Sequence, residues 1–279
     1  MTAPVSLVEV INQYIESDKI TLPVFNSIAA RIQEEMAKSD PNMETIEKII
    51  ASDQALSSQV LKIANSPFYR GLVEVGTVRL AITRLGMKEI EKIVLLATSQ
   101  QHFKSTDKAI NQIMKKLWQH SVGCAYGAVW LAKRHEFGVD QTQAFFGGLF
   151  HDVGKLLILV VVEQIKRENS TYEITEALLM EAMAQLHARE GSKLLKQWNM
   201  PEYFSVIARD HHTSELDDKN YLLLLIRMAN QVCHKLGIGL EKDDALVLPA
   251  TLEAHLLNLT EIDLAELEIA LEDTAVLSS

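Results

Sequence analysis

A chain of 279 residues, 48% hydrophobic and 23% charged, is long enough for one large or two small domains and apolar enough to fill their cores. Its formal net charge of −10 argues against gripping nucleic acid by general electrostatics, which needs a basic surface. The two cysteines, Cys124 and Cys233, form no CxxC, so zinc-finger and thioredoxin-like readings lack support and a reduced, cytoplasmic setting fits.

Taken in chain order, the pattern is helical. The N-terminus, MTAPVSLVEVINQYIESDKI, lacks the basic stretch and apolar core of a signal peptide. Asp40-Pro41 predicts an N-cap with proline in the first turn. Leu56, Val60 and Ile63 form an apolar stripe. Val78, Ala81, Ile82 and Leu85 form the next, with Thr77 placed to cap and Gly86 to stop the helix. Ile90, Ile93, Val94 and Ala97 repeat the pattern. The corner Ser66-Pro67-Phe68-Tyr69, with Arg70, reads as an ordinary loop holding a buried aromatic. The polar stretch around 101–109 is the expected junction between a first helical lobe (1–110) and a second (111–240). The segment LLILVVV (156–162) is rich in β-branched residues, yet every neighbour is helical, so helix is expected there too. Neither it nor YLLLLI (221–226) reaches the ~20 residues that span a bilayer. From Glu241 the tail (241–279) is acidic and amphipathic, with one or two short helices that pack on the body or on a partner. The fold class expected is all-α.

Ligand-type residues project inward from several of these helices. His120 follows Ile113 and Leu117 and precedes Cys124 on an apolar stripe. His151 and Asp152 close a helix whose inward positions include Ala144, Phe145, Gly148 and Leu149. His187 shares a stripe with Gly191, Leu194 and Trp198; His211, with His212 beside it, shares one with Phe204, Ile207 and Ala208. Asn230 aligns with Leu222, Ile226 and Cys233. An imidazole and a carboxylate side by side in an apolar segment are costly to bury unpaired. Either they hold a metal, as helical bundles do with converging ligands, or they hold each other in a satisfied polar network that fixes helix packing. Nitrogen mixed with carboxylate oxygen suits iron, zinc or manganese. Lys155, one turn on, either neutralises a phosphate oxygen or is a solvated lysine bonded to Asp152. Trp118, Trp130 and Trp198 read as core. His102, His135, His234 and His255 read as surface, and Glu190 as a solvated helix face.

The order of His120, His151-Asp152, His187 and His211-His212 resembles the HD superfamily of metal-dependent phosphohydrolases. LPVFNSIAARI, IIASDQALSSQVLKIANSPFY and TVRLAITRLGMKEIEKIVLLA, followed by AFFGGLFHDVGKLLI and LLLLIRMANQV, are similar to the HDOD family, the HD-related output domain of bacterial signalling proteins. The resemblance spans about residues 20 to 235 and implies two helical lobes, the C-terminal one an HD-like bundle. It also implies a four-ligand set at His120, His151, Asp152 and position 230, where this chain has Asn230 instead of the usual aspartate: a carbonyl oxygen without a charge. His187, His211 and His212 match the extra ligands of the two-metal branch that includes the HD-GYP hydrolases, but HHTSELDDKN follows where Gly-Tyr-Pro would stand. One or two divalent ions (Fe, Mn or Zn) are implied. The expected function is a non-catalytic signal-transduction module acting through a protein partner or a small nucleotide-like ligand. The alternative is a metal-dependent phosphohydrolase with Asp152 and Lys155 as catalytic residues.

Overall fold

The computed structural model describes residues 6–17, 26–69, 71, 73–168, 174–215 and 217–277, without the side chains of 275 and 276. Residues 22–25 of the first resembling segment, Arg70 and Leu216 lie outside it. The fold is all-α, with no strand among the described residues. Helices α1 (Leu7–Glu16), α2 (Ser27–Met36), α3 (Met43–Ala51), α4 (Gln54–Ala64), α5 (Val78–Leu85) and α6 (Met87–Ser99) precede the polar junction. Helices α7 (Lys108–Arg134), α8 (Gln141–Phe150), α9 (Val153–Glu168), α10 (Glu176–Gln197), α11 (Glu202–Asp210) and α12 (Tyr221–Leu236) build the second body. The tail adds α13 (Leu252–Leu256) and α14 (Glu261–Glu272).

Capping chemistry sets most of the starts. Ser6 and Thr260 make capping boxes with Glu9 and Asp263. Thr77 caps α5 through the Leu80 N–H. Gly86, at φ +84°, ends α5 and starts α6, a left-handed turn that favours glycine. The expected cap at Asp40-Pro41 is displaced by two residues. Asn42 takes the N-cap position and its side chain accepts from the Thr45 N–H, so Pro41 stands outside the helix. Asn42 wins because its own N–H is fixed by the buried Glu35 carboxylate, 3.0 Å away.

One apolar cluster joins α2 to α6 through Ile32, Ile46, Ile50, Val60, Ile82 and Ile90. A larger one fills α7 to α11 and takes in Leu7 and Ile11 of α1 and Leu95 and Leu96 of α6. The tail supplies Leu264, Leu267 and Leu271 to a third cluster that covers the outer face of α12. Every residue of α6 from Ile90 to Ser99 is buried, because its two faces serve two cores. Of the corner at 66–69, Tyr69 is the inward aromatic. Its hydroxyl donates to Glu89 and meets the Tyr126 hydroxyl of α7, while Phe68 is exposed. The segment 156–162 is helical, within α9. Gln141–Glu168 as a whole is apolar and long enough to cross a membrane, but 94% of its most apolar window is buried inside the fold.

Candidate metal centre

The His151-Asp152 pair occupies the two-residue link between α8 and α9. Glycines on either side let neighbouring backbones come close. A Cβ on Gly148 would lie 2.5 Å from the Cys124 carbonyl oxygen of α7, and one on Gly154 would lie 1.9 Å from the His187 carbonyl oxygen of α10. The same contacts draw His120 of α7 and His187 of α10 onto the pair. His211 and His212 arrive from the C-terminal end of α11. Asp152, His151, His120, His187 and His211 are all buried, and His212 alone of the set is exposed.

The orientation of the rings bears on the choice left open by the sequence. Each buried imidazole donates its Nδ1–H to a backbone carbonyl: His120 to Ile238 (3.1 Å), His151 to Gly148 (2.8 Å), His187 to Met183 (2.7 Å) and His211 to Ala208 (2.9 Å). That assignment of tautomer follows from the bonding network, and it leaves four Nε2 lone pairs turned inward. They surround one carboxylate. Asp152 Oδ2 lies 3.5 Å from His120 and His151 Nε2, and Oδ1 lies 3.5 Å from His187 and 3.3 Å from His211 Nε2. The His187 and His211 nitrogens are themselves 3.3 Å apart. In this tautomer a neutral ring does not donate to Asp152, whose Oδ2 is met by Lys155 instead. Accordingly His151 Nε2, Asp152 Oδ1 and Asn230 Oδ1 are buried with no hydrogen-bond partner among the described residues. Converging lone pairs and an orphaned carboxylate oxygen fit a cation, and rings held by backbone carbonyls are the usual support of metal-bound histidine.

Electrostatics agree. Burial pushes His151 well below the ordinary histidine range, lowers His187, and takes His212 down to about 3. These rings are therefore neutral ligands at neutral pH. His120 departs from them: burial lowers it, but its contact with Cys233 outweighs this and raises it. Burial alone would raise the Asp152 carboxyl; Lys155 and the imidazoles outweigh it and hold the group well below the carboxylate range.

Two ligand groups share Asp152. His120, His151 and Asp152 form one; Asp152, His187, His211 and His212 form the other, with the ligand atoms of each group within 4.8 Å of one another. Asn230 sits one turn beyond Ile226, the side chain against which Gly147 of α8 packs. Several expectations need correction. Lys155 is not a solvated lysine: it is buried, 2.8 Å from Asp152 Oδ2. Glu190 is not a solvated face but buried, with Arg189 at 2.5 Å and Lys193 at 3.0 Å folding over it. His234 is not a surface residue. It is half-buried and stacks on His120 at 5.4 Å, with burial lowering it to about 4. Cys124 and Cys233, distant in sequence, meet with their sulfurs 3.7 Å apart beside His120. The signals were present in the helical spacing. Cys124 is four residues from His120, and Cys233 and His234 lie three and four residues after Asn230.

Comparison with known proteins agrees with this architecture. A crystal structure of an HDOD domain protein of unknown function from Geobacter sulfurreducens is similar at TM-score 0.73 and 20% identity, covering 97% of this chain and 95% of that one. A structure from Shewanella amazonensis SB2B, described as a candidate metal-dependent phosphohydrolase, is similar at TM-score 0.74 and 21% identity, covering 98% and 97%. An uncharacterized protein of Treponema pallidum (strain Nichols) is 24% identical over 216 residues; these are 75% of this chain but 41% of that longer protein. The HDOD domain family model matches residues 22–214, which hold both the five helices α2 to α6 before the junction and the candidate ligands from His120 to His212, and the chain belongs to the HDOD family.

Proposed function

We propose that the chain is a regulatory, non-hydrolytic module of bacterial signal transduction that holds one or two divalent ions at the His–Asp centre. The observation that carries this reading is the small space beside Asp152 on the His120 side. The cavity touching Asp152, bordered by Leu117, His120, Lys155, His234, Leu240 and Glu241, has a volume of about 10 Å³. That is room for about one water molecule on the His120 side of Asp152. Glu241 adds a negative charge at the same place, and Lys155 is already engaged by Asp152. His120, His151 and Asp152 would hold one ion, and Asp152, His187, His211 and His212 a second. Imidazole and carboxylate donors favour iron, manganese or zinc. When bound, such an ion lowers the pKa of a coordinated water and polarises a phosphoryl oxygen. The chain's own residues keep that water away from any large substrate.

The input fits a different place. A cavity of about 100 Å³ between the lobes is bordered by Gln59, Lys62 and Ser66 of the DQALSSQVLKIANS segment, by Gln100 and Trp118, and by Leu277 of the tail. Gln59 Oε1, Ser66 Oγ and Trp118 Nε1 are buried and find no hydrogen-bond partner among the described residues. Unpaired buried polar groups are unfavourable, so this cavity suits a small polar, nucleotide-like ligand, with the output passed to a protein partner.

The hydrolytic alternative keeps support from the retained ligand set. Protein loaded with Mn²⁺ or Fe²⁺ is expected to show no turnover of bis(p-nitrophenyl) phosphate or cyclic dinucleotides above that of Asp152→Asn. Turnover that this variant abolishes would make the chain a hydrolase. The same nucleotides, followed by tryptophan fluorescence with Trp118→Phe as the reference, test the interlobe cavity.

A further inference from the structure

Beside the His–Asp groups lies a third set of donors, in which His120 is joined by two cysteines that the family resemblance does not include. His120 Nε2 is 3.6 Å from Cys124 Sγ, and Cys124 Sγ is 3.7 Å from Cys233 Sγ. All three side chains are buried, and both cysteines are free thiols. Their ligand atoms lie within 4.8 Å of one another. The geometry points to a sulfur-containing metal site: Cys124 and Cys233 are ligands, with His120, of the divalent ion held on the His120 side of Asp152. This rests on the metal-holding reading above and changes the chemistry of that ion.

Three observations carry it. The first is spacing. In a tetrahedral shell with Zn–S of ~2.3 Å and Zn–N of ~2.0 Å, sulfur pairs stand ~3.8 Å apart and nitrogen–sulfur pairs ~3.5 Å apart. The separations here, 3.7 Å and 3.6 Å, are those of such a shell. Asp152 Oδ2 lies 3.5 Å from the same His120 nitrogen. The second is the aim of the ring. With Nδ1–H given to the Ile238 carbonyl, the Nε2 lone pair faces both the sulfur and the carboxylate. One lone pair serves one ion, so an ion bound there has access to both.

The third is charge. In the His120, His151, Asp152 group the only anion is a carboxylate shared with a second group, and Asn230 brings an oxygen without a charge. Cys233, one turn beyond Asn230 on α12, and Cys124, one turn beyond His120 on α7, supply two negative charges when bound as thiolates. Binding M²⁺ by two thiols releases two protons and leaves the metal–dithiolate unit neutral before Asp152 is counted. Thiolates select zinc over manganese, which prefers oxygen.

The test uses Co²⁺ and Zn²⁺ as probes on the full chain. Cobalt-loaded protein, its metal counted per chain, is expected to show the near-ultraviolet sulfur-to-cobalt charge-transfer band. Zinc should bleach this band, and Mn²⁺ at the same concentration should not. Cys124→Ser and Cys233→Ser are each expected to halve the band, and the double variant to remove it, with circular dichroism confirming the fold. Cobalt bound in stoichiometric amount to the wild-type protein without a sulfur band overturns the thiolate site and leaves the His–Asp centre standing. No cobalt bound at all overturns both. The wild-type spectrum decides the matter even if the serine variants do not fold.

Discussion

Gly154→Ala is expected to destabilise the protein by more than about 3 kcal/mol, at or beyond the usual range for overpacking. The reason lies in what the new methyl would meet. It would stand 1.9 Å from the His187 carbonyl oxygen, 2.7 Å from the His187 carbonyl carbon and 2.7 Å from the Gly191 nitrogen, all backbone atoms of α10. Side chains can rotate away from a clash; a helix backbone moves only as a body. Helices α9 and α10 would have to separate along their contact, and His187 would be carried off its ligand group. Gly76→Ala is the matched control, since nothing lies within 4 Å of its Cβ position. Urea unfolding followed by circular dichroism reads the difference. A Gly154→Ala midpoint within about 0.5 kcal/mol of the control would show that the α9–α10 contact is looser than described.

Asp152→Ala is expected to weaken divalent metal binding at both His–Asp groups, because one oxygen of the carboxylate serves each, and to leave on the His120 side only an ion that His120 and the two thiols can hold. His212→Ala removes a ligand from only one group and should leave the other ion in place. Metal counted per chain after equilibration with Zn²⁺ separates the two results; metal retained at wild-type level in Asp152→Ala would dismiss the shared-carboxylate arrangement. Without metal, Asp152→Ala is also expected to lose about 3–5 kcal/mol, the usual effect of removing one partner from a buried ion pair, because Lys155 is left as an uncompensated ammonium. Asp152→Ala/Lys155→Met should regain most of that loss. The pH dependence has a definite sign. The folded Asp152 carboxyl titrates well below its unfolded value of about 3.9, so its stabilisation is complete above that value and is lost as pH falls further. The wild-type protein, and not Asp152→Ala, should therefore shed this part of its stability below about pH 4.

Much of the frame was legible because it follows local rules. Thr77 and Gly86 bound α5 by capping and by positive φ, and the apolar stripes of α4 to α6 turned inward as their period required. Asp40-Pro41 misled because two capping-type residues, Asp40 and Asn42, stand within three positions, and a buried carboxylate from another helix decides between them. The candidate ligands His120, His187 and His211 were legible as inward residues on apolar stripes. What they do there was not, because it depends on which carbonyl each Nδ1–H meets. His234 was misplaced for a related reason. Its sequence neighbours are polar, but the packing of α12 on α7 sets it over His120. Glu190 was misread because its partners, Arg189 and Lys193, sit on its own helix and shield it, so the local pattern is that of a solvated face.

Helix α6 has a mechanical consequence. Its two faces are built into two cores, and α1, at the start of the chain, packs on α9 and α10. A cleavage at the polar junction after α6 would strip Leu95, Leu96, Leu7 and Ile11 from the core of everything downstream. Neither half is a complete folding unit, so the chain should melt in a single calorimetric transition, with equal calorimetric and van't Hoff enthalpies. α6 thus works as a keel common to both lobes: a ligand that stiffens the interlobe cavity, bordered by Leu96 of this helix, raises the melting point of the distant His–Asp centre along with its own.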